Sequence, residues 1–199
     1  MGAGTNSDQR GLALQTTLAG CDRAARLVDQ LLTLARLEVE GGGQQMASHV
    51  DLAVVAQGVA ADLAPLALAR GQELELEADA ACLVHVHEGL LSILLRNLLD
   101  NALRYAPDGA RIQVKVQRVA SHVHLVVQDS GYGMSQADMD RLGERFFRVL
   151  GHLQPGSGLG WSIVRRIAAV TGARLTVRRS DTLGGLQVAV AWPQSAKMG

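Results

Sequence analysis

The chain has 199 residues, 48% of them hydrophobic and 3% aromatic, with 19 basic side chains balanced by 19 acidic ones. That length and apolarity allow one good core with a small appendage and exclude a disordered polymer, and the scarcity of rings means a core of Leu, Val, Ile and Ala. Charge balance argues against a broad nucleic-acid or acidic-membrane footprint, though not against a local basic pocket.

Taken in chain order, Leu14, Leu18, Cys21, Ala25, Val28, Leu32 and Ala35 recur at alternating steps of four and three, the a/d seam of a coiled coil. Leu27, Leu31 and Leu34 widen the stripe, so a helical bundle suits it better than a two-stranded zipper, and alone the helix cannot bury that face. The pattern stops at Gly41-Gly42-Gly43, and Gln44-Gln45 reads as a hinge, which predicts a boundary between a helical segment 1–43 and a domain 44–199. Periodicity then predicts helices over Ala53–Ala69, about Glu88–Tyr105 and near Trp161–Val170. Strands are predicted over Glu73–Glu77 and Leu83–Val86, with hairpins Arg111–Val119/His122–Gln128 and Arg174–Arg179/Leu186–Trp192. An α+β fold follows, a mixed or antiparallel sheet covered on one face by helices. Cys21 and Cys82 form no C-x-x-C pair and stand in apolar contexts, as free buried thiols of a reducing compartment do. No secretory signal and no apolar run long enough to cross a bilayer stands out, so a soluble cytoplasmic piece outside the membrane and away from nucleic acid is expected.

Three motifs carry chemistry. In R-N-L-L-D-N-A-L-R-Y, Asn97 and Asn101 are four apart and share a helix face with Arg104, and amide oxygens of this kind suit a hard cation such as Mg²⁺ that leans on substrate phosphates. Asp129-Ser130-Gly131-Tyr132-Gly133 closes a predicted strand with a carboxylate able to accept from an exocyclic amine, beside glycines that let a planar base approach. In G-S-G-L-G-W-S, Gly156, Gly158 and Gly160 run into a helix start, presenting backbone N–H groups to an anion. Yet the spacing is neither the dinucleotide nor the P-loop fingerprint. Each motif alone is also compatible with a solvated helix face or an ordinary turn. The His85/His87 and His122/His124 pairs share strand faces, so a metal site there is conceivable, but strand histidines are the plainer reading.

The succession of amide helix, Asp-Gly strand end, E-R-F-F-R and glycine turn resembles the catalytic ATP-binding domain of sensor histidine kinases, in the wider group with gyrase, Hsp90 and MutL. The resemblance spans about residues 48–193, where the stretches look like the N, G1, F and G2 boxes. It implies a two-layer α/β sandwich of the Bergerat type, a mixed sheet under three helices, preceded by a long bundle-type helix. It implies ATP and Mg²⁺ as cofactors, with Asn101 as metal ligand assisted by Asn97, Arg104 on phosphate and Tyr105 by the base. Asp129 would accept from adenine N6; Gly131 and Gly133 would line the base pocket. Gly156, Ser157, Gly158, Leu159 and Gly160 would hold phosphates and hinge a lid over about 134–155, latched by Phe146 and Phe147. Trp161 stands where the family usually has a smaller aliphatic residue, leaving it open whether it crowds the phosphate floor or faces the core; Tyr132 could meet base or solvent.

The resemblance also makes D-R-A-A-R-L-V-D-Q-L-L-T-L-A-R-L-E look like the second helix of a dimerisation and phosphotransfer hairpin. It implies a homodimer through the bundle helix, a response-regulator receiver domain as partner, and a longer parent anchored in the bacterial inner membrane. Hydrolytic relatives carry a glutamate one turn before the metal-binding asparagine; here that position is Asn97, and an amide is no general base, which favours transfer to an external nucleophile over attack by water. In the family that nucleophile is an imidazole in a box on the first bundle helix. None of His49, His85, His87, His122, His124 and His152 has such a context, so the sequence is expected to be a kinase fragment that binds ATP without phosphorylating itself. The competing readings are a related enzyme, such as an anti-sigma serine kinase or an ATPase, and a nucleotide-independent interaction module.

Overall fold

The computed structural model describes residues 47–142, 144 and 160–194. The seam helix, the glycine hinge and the proposed boundary at 43/44 lie outside the described residues, as do Phe146, Phe147, Gly156, Ser157, Gly158 and Leu159.

The elements run β1 (Ser48–Asp51), α1 (Leu52–Ala69), β2 (Glu73–Ala78), β3 (Leu83–Val86), α2 (Glu88–Tyr105), β4 (Arg111–Val119), β5 (His122–Asp129), α3 (Gln136–Asp140), α4 (Gly160–Val170), β6 (Arg174–Arg179) and β7 (Leu186–Pro193). Five strands form one mixed sheet in the order β2-β4-β5-β7-β6, with only the β2–β4 pair parallel. The predicted strand Leu83–Val86 exists but lies outside that sheet; it pairs antiparallel with β1 in a two-stranded ribbon. Period-two patterning missed β1, whose four residues are too short to show an alternation.

Alternation puts Ile112, Val114 and Val116 of β4, Val123, Leu125 and Val127 of β5, and Val188, Val190 and Trp192 of β7 on one buried face. Onto it pack Leu91, Leu94, Leu95, Leu98 and Leu99 of α2 and Ile163, Val164 and Ile167 of α4, with Val55, Val59 and Leu63 of α1 in the same core. Three helices on one face of a mixed sheet is the expected two-layer sandwich. Trp192 is buried among them because its indole N–H has an acceptor, Thr171 Oγ1 at 3.1 Å. Cys82 is the buried free thiol that its apolar context predicts.

Helix α1 departs from one expectation. By length and composition its 18 residues, mean hydropathy 1.7, are apolar enough to cross a membrane, whereas the sequence reading found no such run. The low-charge stretch has another use here, since Leu52, Val55, Ala56, Val59, Ala60, Leu63 and Ala67 are buried in the core.

The ends of α2 fix the site helix. His87 serves as its N-cap, Nδ1 accepting from Gly89 N–H at 3.1 Å, so this ring of the predicted His85/His87 pair has a structural use. The helix stops at Ala106 before Pro107, which disfavours helical geometry in its predecessor. Its last carbonyls are gathered by two side chains from the α1–β2 turn. Buried Gln72 Nε2 donates to the oxygens of Leu103 (3.0 Å), Ala106 (3.2 Å) and Pro107 (3.0 Å). Arg70 donates to Leu103 O, Arg104 O and Ala106 O and pairs with Asp108.

Candidate functional site

The end of β5, the C-terminal half of α2, the start of α4 and the β6–β7 hairpin enclose one cavity. Leu98, Asn101, Ala102 and Tyr105 come from α2, Val127 and Asp129 from β5, Trp161 from α4, and Leu186 and Val188 from β7. Tyr132, Gly133, Met134 and Leu142 complete the lining. A mostly apolar cleft with one carboxylate and one amide suits a flat heterocycle with a polar edge.

Asp129 ends its strand as the alternation predicts and is partly buried. Its Oδ1 accepts from the backbone N–H of Gly131 at 2.8 Å and of Leu186 at 3.3 Å; among the described residues no hydrogen bond falls on Oδ2. Burial pushes the Asp129 carboxyl above the ordinary carboxylate range, with the two N–H donors opposing that rise. One oxygen is thus fixed by the backbone, leaving the other as acceptor for a ligand.

The two motif glycines meet different demands. A Cβ on Gly131 would lie 2.8 Å from Asp129 Oδ1 and 3.3 Å from Ala106 Cα, so the absent side chain lets the loop pass between strand end and helix end. Gly133 has φ of +71°, the left-handed region that L side chains rarely adopt.

Along α2, Asn101 lines the cavity and its Nδ2 is buried without a hydrogen-bond partner. Asn97 Nδ2 is bonded back to Ile93 O at 2.7 Å. Its Oδ1 lies 3.0 Å from where a Cβ on Gly160 would stand, and Asn101 Oδ1 lies 3.8 Å from the same point. The first residue of α4 therefore rests on the amide pair, bringing the positive end of a helix dipole beside two amide side chains. The orphaned Asn101 Nδ2 is a donor that suits an anion, while the Oδ1 atoms of Asn97 and Asn101 are neutral acceptors that suit a hard cation, so the two amides together fit Mg²⁺ held with a polyphosphate. Arg104 is placed differently from its expected role. It pairs with Asp100 at 2.6 Å and does not line the cavity.

Of the two positions that the sequence left open for Trp161, the structure shows the side chain packed against the core, where it also lines the cavity. Tyr132 is 77% exposed at the cavity's edge, and Tyr105 is 37% exposed beside it. Of the expected lid, the described part includes a short helix, α3, capped by Ser135, whose Oγ accepts from Asp138 N–H at 3.1 Å. Five residues are too few for periodicity to register, although Ser135 ahead of Asp138 is a visible cap signal.

Sequence reasoning missed Gly185. The β6–β7 turn was legible as a hairpin, but not that Gly185 N–H donates to Asp129 O at 3.1 Å, or that its Cβ would fall 2.2 Å from Asp129 Oδ1. Among the described residues no group of three or more His, Cys, Asp or Glu side chains gathers to hold a metal.

Comparison with known proteins places this geometry in company. Residues 87–196 match the family described as histidine kinase-, DNA gyrase B- and HSP90-like ATPase. The sensor protein QseC of Salmonella typhimurium is 37% identical over 191 residues, 96% of this chain and 41% of that protein. The chain thus spans about two fifths of the curated relatives it matches. Among solved structures, the cytoplasmic segment of histidine kinase QseC is similar at a TM-score of 0.61 and 30% identity, covering 87% of this chain and 95% of that one. The mycobacterial sensor histidine kinase MprB is similar at 0.64 and 27%, covering 75% and 98%.

Proposed function

The chain belongs to the histidine kinase-, DNA gyrase B- and HSP90-like ATPase family, and from that premise we propose that it is the ATP-binding catalytic part of a sensor histidine kinase, passing the γ-phosphoryl of ATP to a histidine. The observation that carries this reading is the convergence of Asp129 and Asn101 on one cavity, with Gly160 seated against Asn97 and Asn101. Adenine enters with its amine toward Asp129 Oδ2, its faces against Leu98, Ala102, Leu186 and Val188. The phosphates lie toward the start of α4, where the positive end of the helix dipole stabilises negative charge. Asn101, assisted by Asn97, would hold Mg²⁺. Bound there, the ion supplies charge neutralisation of the phosphates during phosphoryl transfer. Arg104 is kept beside the site by Asp100, from which it can turn to phosphate. Phe146, Phe147, Gly156, Ser157, Gly158 and Leu159 complete the lid and the phosphate turn in this reading.

Transfer is favoured over hydrolysis because Asn97, one turn before Asn101, has its amide N–H₂ tied to Ile93 O and carries no basic oxygen to activate water. In the parent protein the seam helix dimerises as part of a bundle, a response-regulator receiver domain accepts the phosphoryl group, and the whole is anchored in a bacterial inner membrane with this part on the cytoplasmic side.

Calorimetry with Mg²⁺-ADP tests the binding step. Wild type is expected to give heat, and Asp129→Asn, which sets an N–H₂ donor against the adenine amine, to weaken binding about tenfold or more; no heat with wild type, or unchanged heat with the variant, overturns the assignment. A polypeptide of these 199 residues is expected to take no label from γ-phosphate-labelled ATP, whereas one extended upstream through an acceptor-histidine helix does. Label on the shorter polypeptide would refute the missing-acceptor reading.

A further inference from the structure

Gln128 and Ser180, 5% and 3% exposed, are two of the three buried polar side chains among the described residues, and they are bonded to each other. Gln128 Oε1 accepts from Ser180 Oγ at 2.8 Å and from Thr182 Oγ1 at 3.1 Å. Its Nε2 donates to Gln113 Oε1 at 2.6 Å. Burying an amide and a hydroxyl is costly unless they are paired, so the pairing has a use for the fold at that point. Ser180 Oγ also accepts from Leu183 N–H at 3.0 Å, and Ser180 N–H donates to Gly185 O at 2.8 Å, which ties the turn to its own base.

Gln128 immediately precedes Asp129. Successive strand residues point to opposite faces, so the β6–β7 turn is held from both sides of the end of β5. On the face away from the cavity Gln128 holds Ser180 and Thr182. At the cavity, Asp129 O accepts from Gly185 N–H and Asp129 Oδ1 from Leu186 N–H. None of Gln128, Ser180 and Thr182 lines the cavity.

We infer that Gln128, acting through Ser180 and Thr182, is a positioning residue that seats the β6–β7 turn against Asp129 and so sets discrimination between a 6-amino and a 6-oxo purine. The inference rests on the proposed recognition of adenine by Asp129. With the turn seated, Leu186 N–H fixes Oδ1 and leaves Oδ2 as acceptor for the amine. With the turn released, the carboxylate loses one of its two anchors and rotates. The apolar walls and the phosphate end remain, so selectivity is lost before affinity.

The test compares ADP with inosine 5′-diphosphate, whose 6-oxygen replaces the amine, on wild type, Gln128→Met and Ser180→Ala, each checked for folding by its thermal transition. Wild type is expected to prefer ADP. Gln128→Met is expected to weaken ADP binding about tenfold, as loss of one well-placed hydrogen bond to a charged group does, while changing inosine diphosphate binding less than about twofold. Ser180→Ala moves the ratio in the same direction by a smaller step. If Gln128→Met does not fold, Thr182→Val, which removes one donor to Gln128, and Ser180→Ala, which removes the other together with the acceptor of Leu183 N–H, carry the comparison. An unchanged ADP preference in the folded variants, or a parallel fall for both nucleotides, overturns the positioning role. A wild type that binds both nucleotides equally overturns adenine recognition by Asp129 and this inference with it.

Discussion

Replacing Gly185 with alanine should damage the protein more than the same change at any glycine whose neighbourhood is open. The added Cβ would stand 2.2 Å from Asp129 Oδ1, 2.4 Å from Asp129 O and 2.6 Å from Gly131 N. Carbon and oxygen normally approach no closer than about 3.3 Å, so the methyl intrudes by roughly 1 Å. Two of the three atoms are backbone and cannot swing aside. The relief left is a shift of the β6–β7 turn by a similar distance, which takes the Gly185-to-Asp129 bond of 3.1 Å and the Leu186-to-Asp129 bond of 3.3 Å out of range. Two lost hydrogen bonds at about 1 kcal/mol each, with some residual overpacking, come to about 2–4 kcal/mol. ADP affinity should fall about tenfold as Asp129 loses its anchor. Gly58, exposed in α1 with nothing within 4 Å of a new Cβ, is the control; there alanine should stabilise by about 0.5–1 kcal/mol through helix propensity alone. Urea unfolding followed by circular dichroism and calorimetry with Mg²⁺-ADP read both effects. The reasoning is refuted if Gly185→Ala unfolds at the wild-type urea midpoint and keeps wild-type affinity, or if Gly58→Ala loses as much as Gly185→Ala.

The remaining expectations concern the same cavity and the helix that flanks it. Because burial raises the Asp129 carboxyl in the free protein while the adenine amine prefers the ionised form, ADP affinity should be level above the raised value and fall as pH drops through it. Asp129→Asn should flatten that profile, and a wild-type profile flat down to the ordinary carboxylate range would contradict it. The same raised value makes the folded state favour the protonated form. That contribution is full below the unfolded carboxyl's range and lost as pH rises through the folded value, so Asp129→Asn should be no less stable than wild type at neutral pH. Asn101→Ala should abolish the gain in ADP affinity that Mg²⁺ gives while leaving binding in EDTA within about twofold, since the base contacts are untouched; equal losses with and without the ion would remove Asn101 from the metal. Gln72→Leu orphans carbonyls at the end of α2, but Gln72 Oε1 is itself buried without a partner and disappears too. The net cost should be about 1–2 kcal/mol by urea unfolding, and a stabilised variant would show that Arg70 alone caps the helix.

The sequence was most informative where a requirement is local. Helix α2 was legible over about Glu88–Tyr105 because its apolar spacing is sustained through that length. The hairpins were legible because period-two runs flank turn residues. The placement of Asp129 at a strand end and of Asn97 and Asn101 one turn apart on a helix was legible because both follow from those elements. What escaped depends on strands distant in the chain.

Gly184 and Gly185 show the difference within one dipeptide. Gly184 has φ of +84° and open space around it, so its own backbone calls for glycine, and turn chemistry reads that from the sequence. Gly185 is called for by atoms of Asp129 and Gly131, which reach it only because β5 and β7 pair with Gln128 opposite Gln187, putting Asp129 next to Leu186. These strands are not consecutive, so no turn length sets that register; it follows from which faces of both strands are buried. A glycine demanded by its own dihedral angle is therefore visible from a few neighbours, whereas one demanded by another strand's carboxylate becomes visible only when the sheet is assembled. The same holds for Gln128, which reads as an unremarkable polar residue until β6–β7 folds over it and Ser180 supplies the donor.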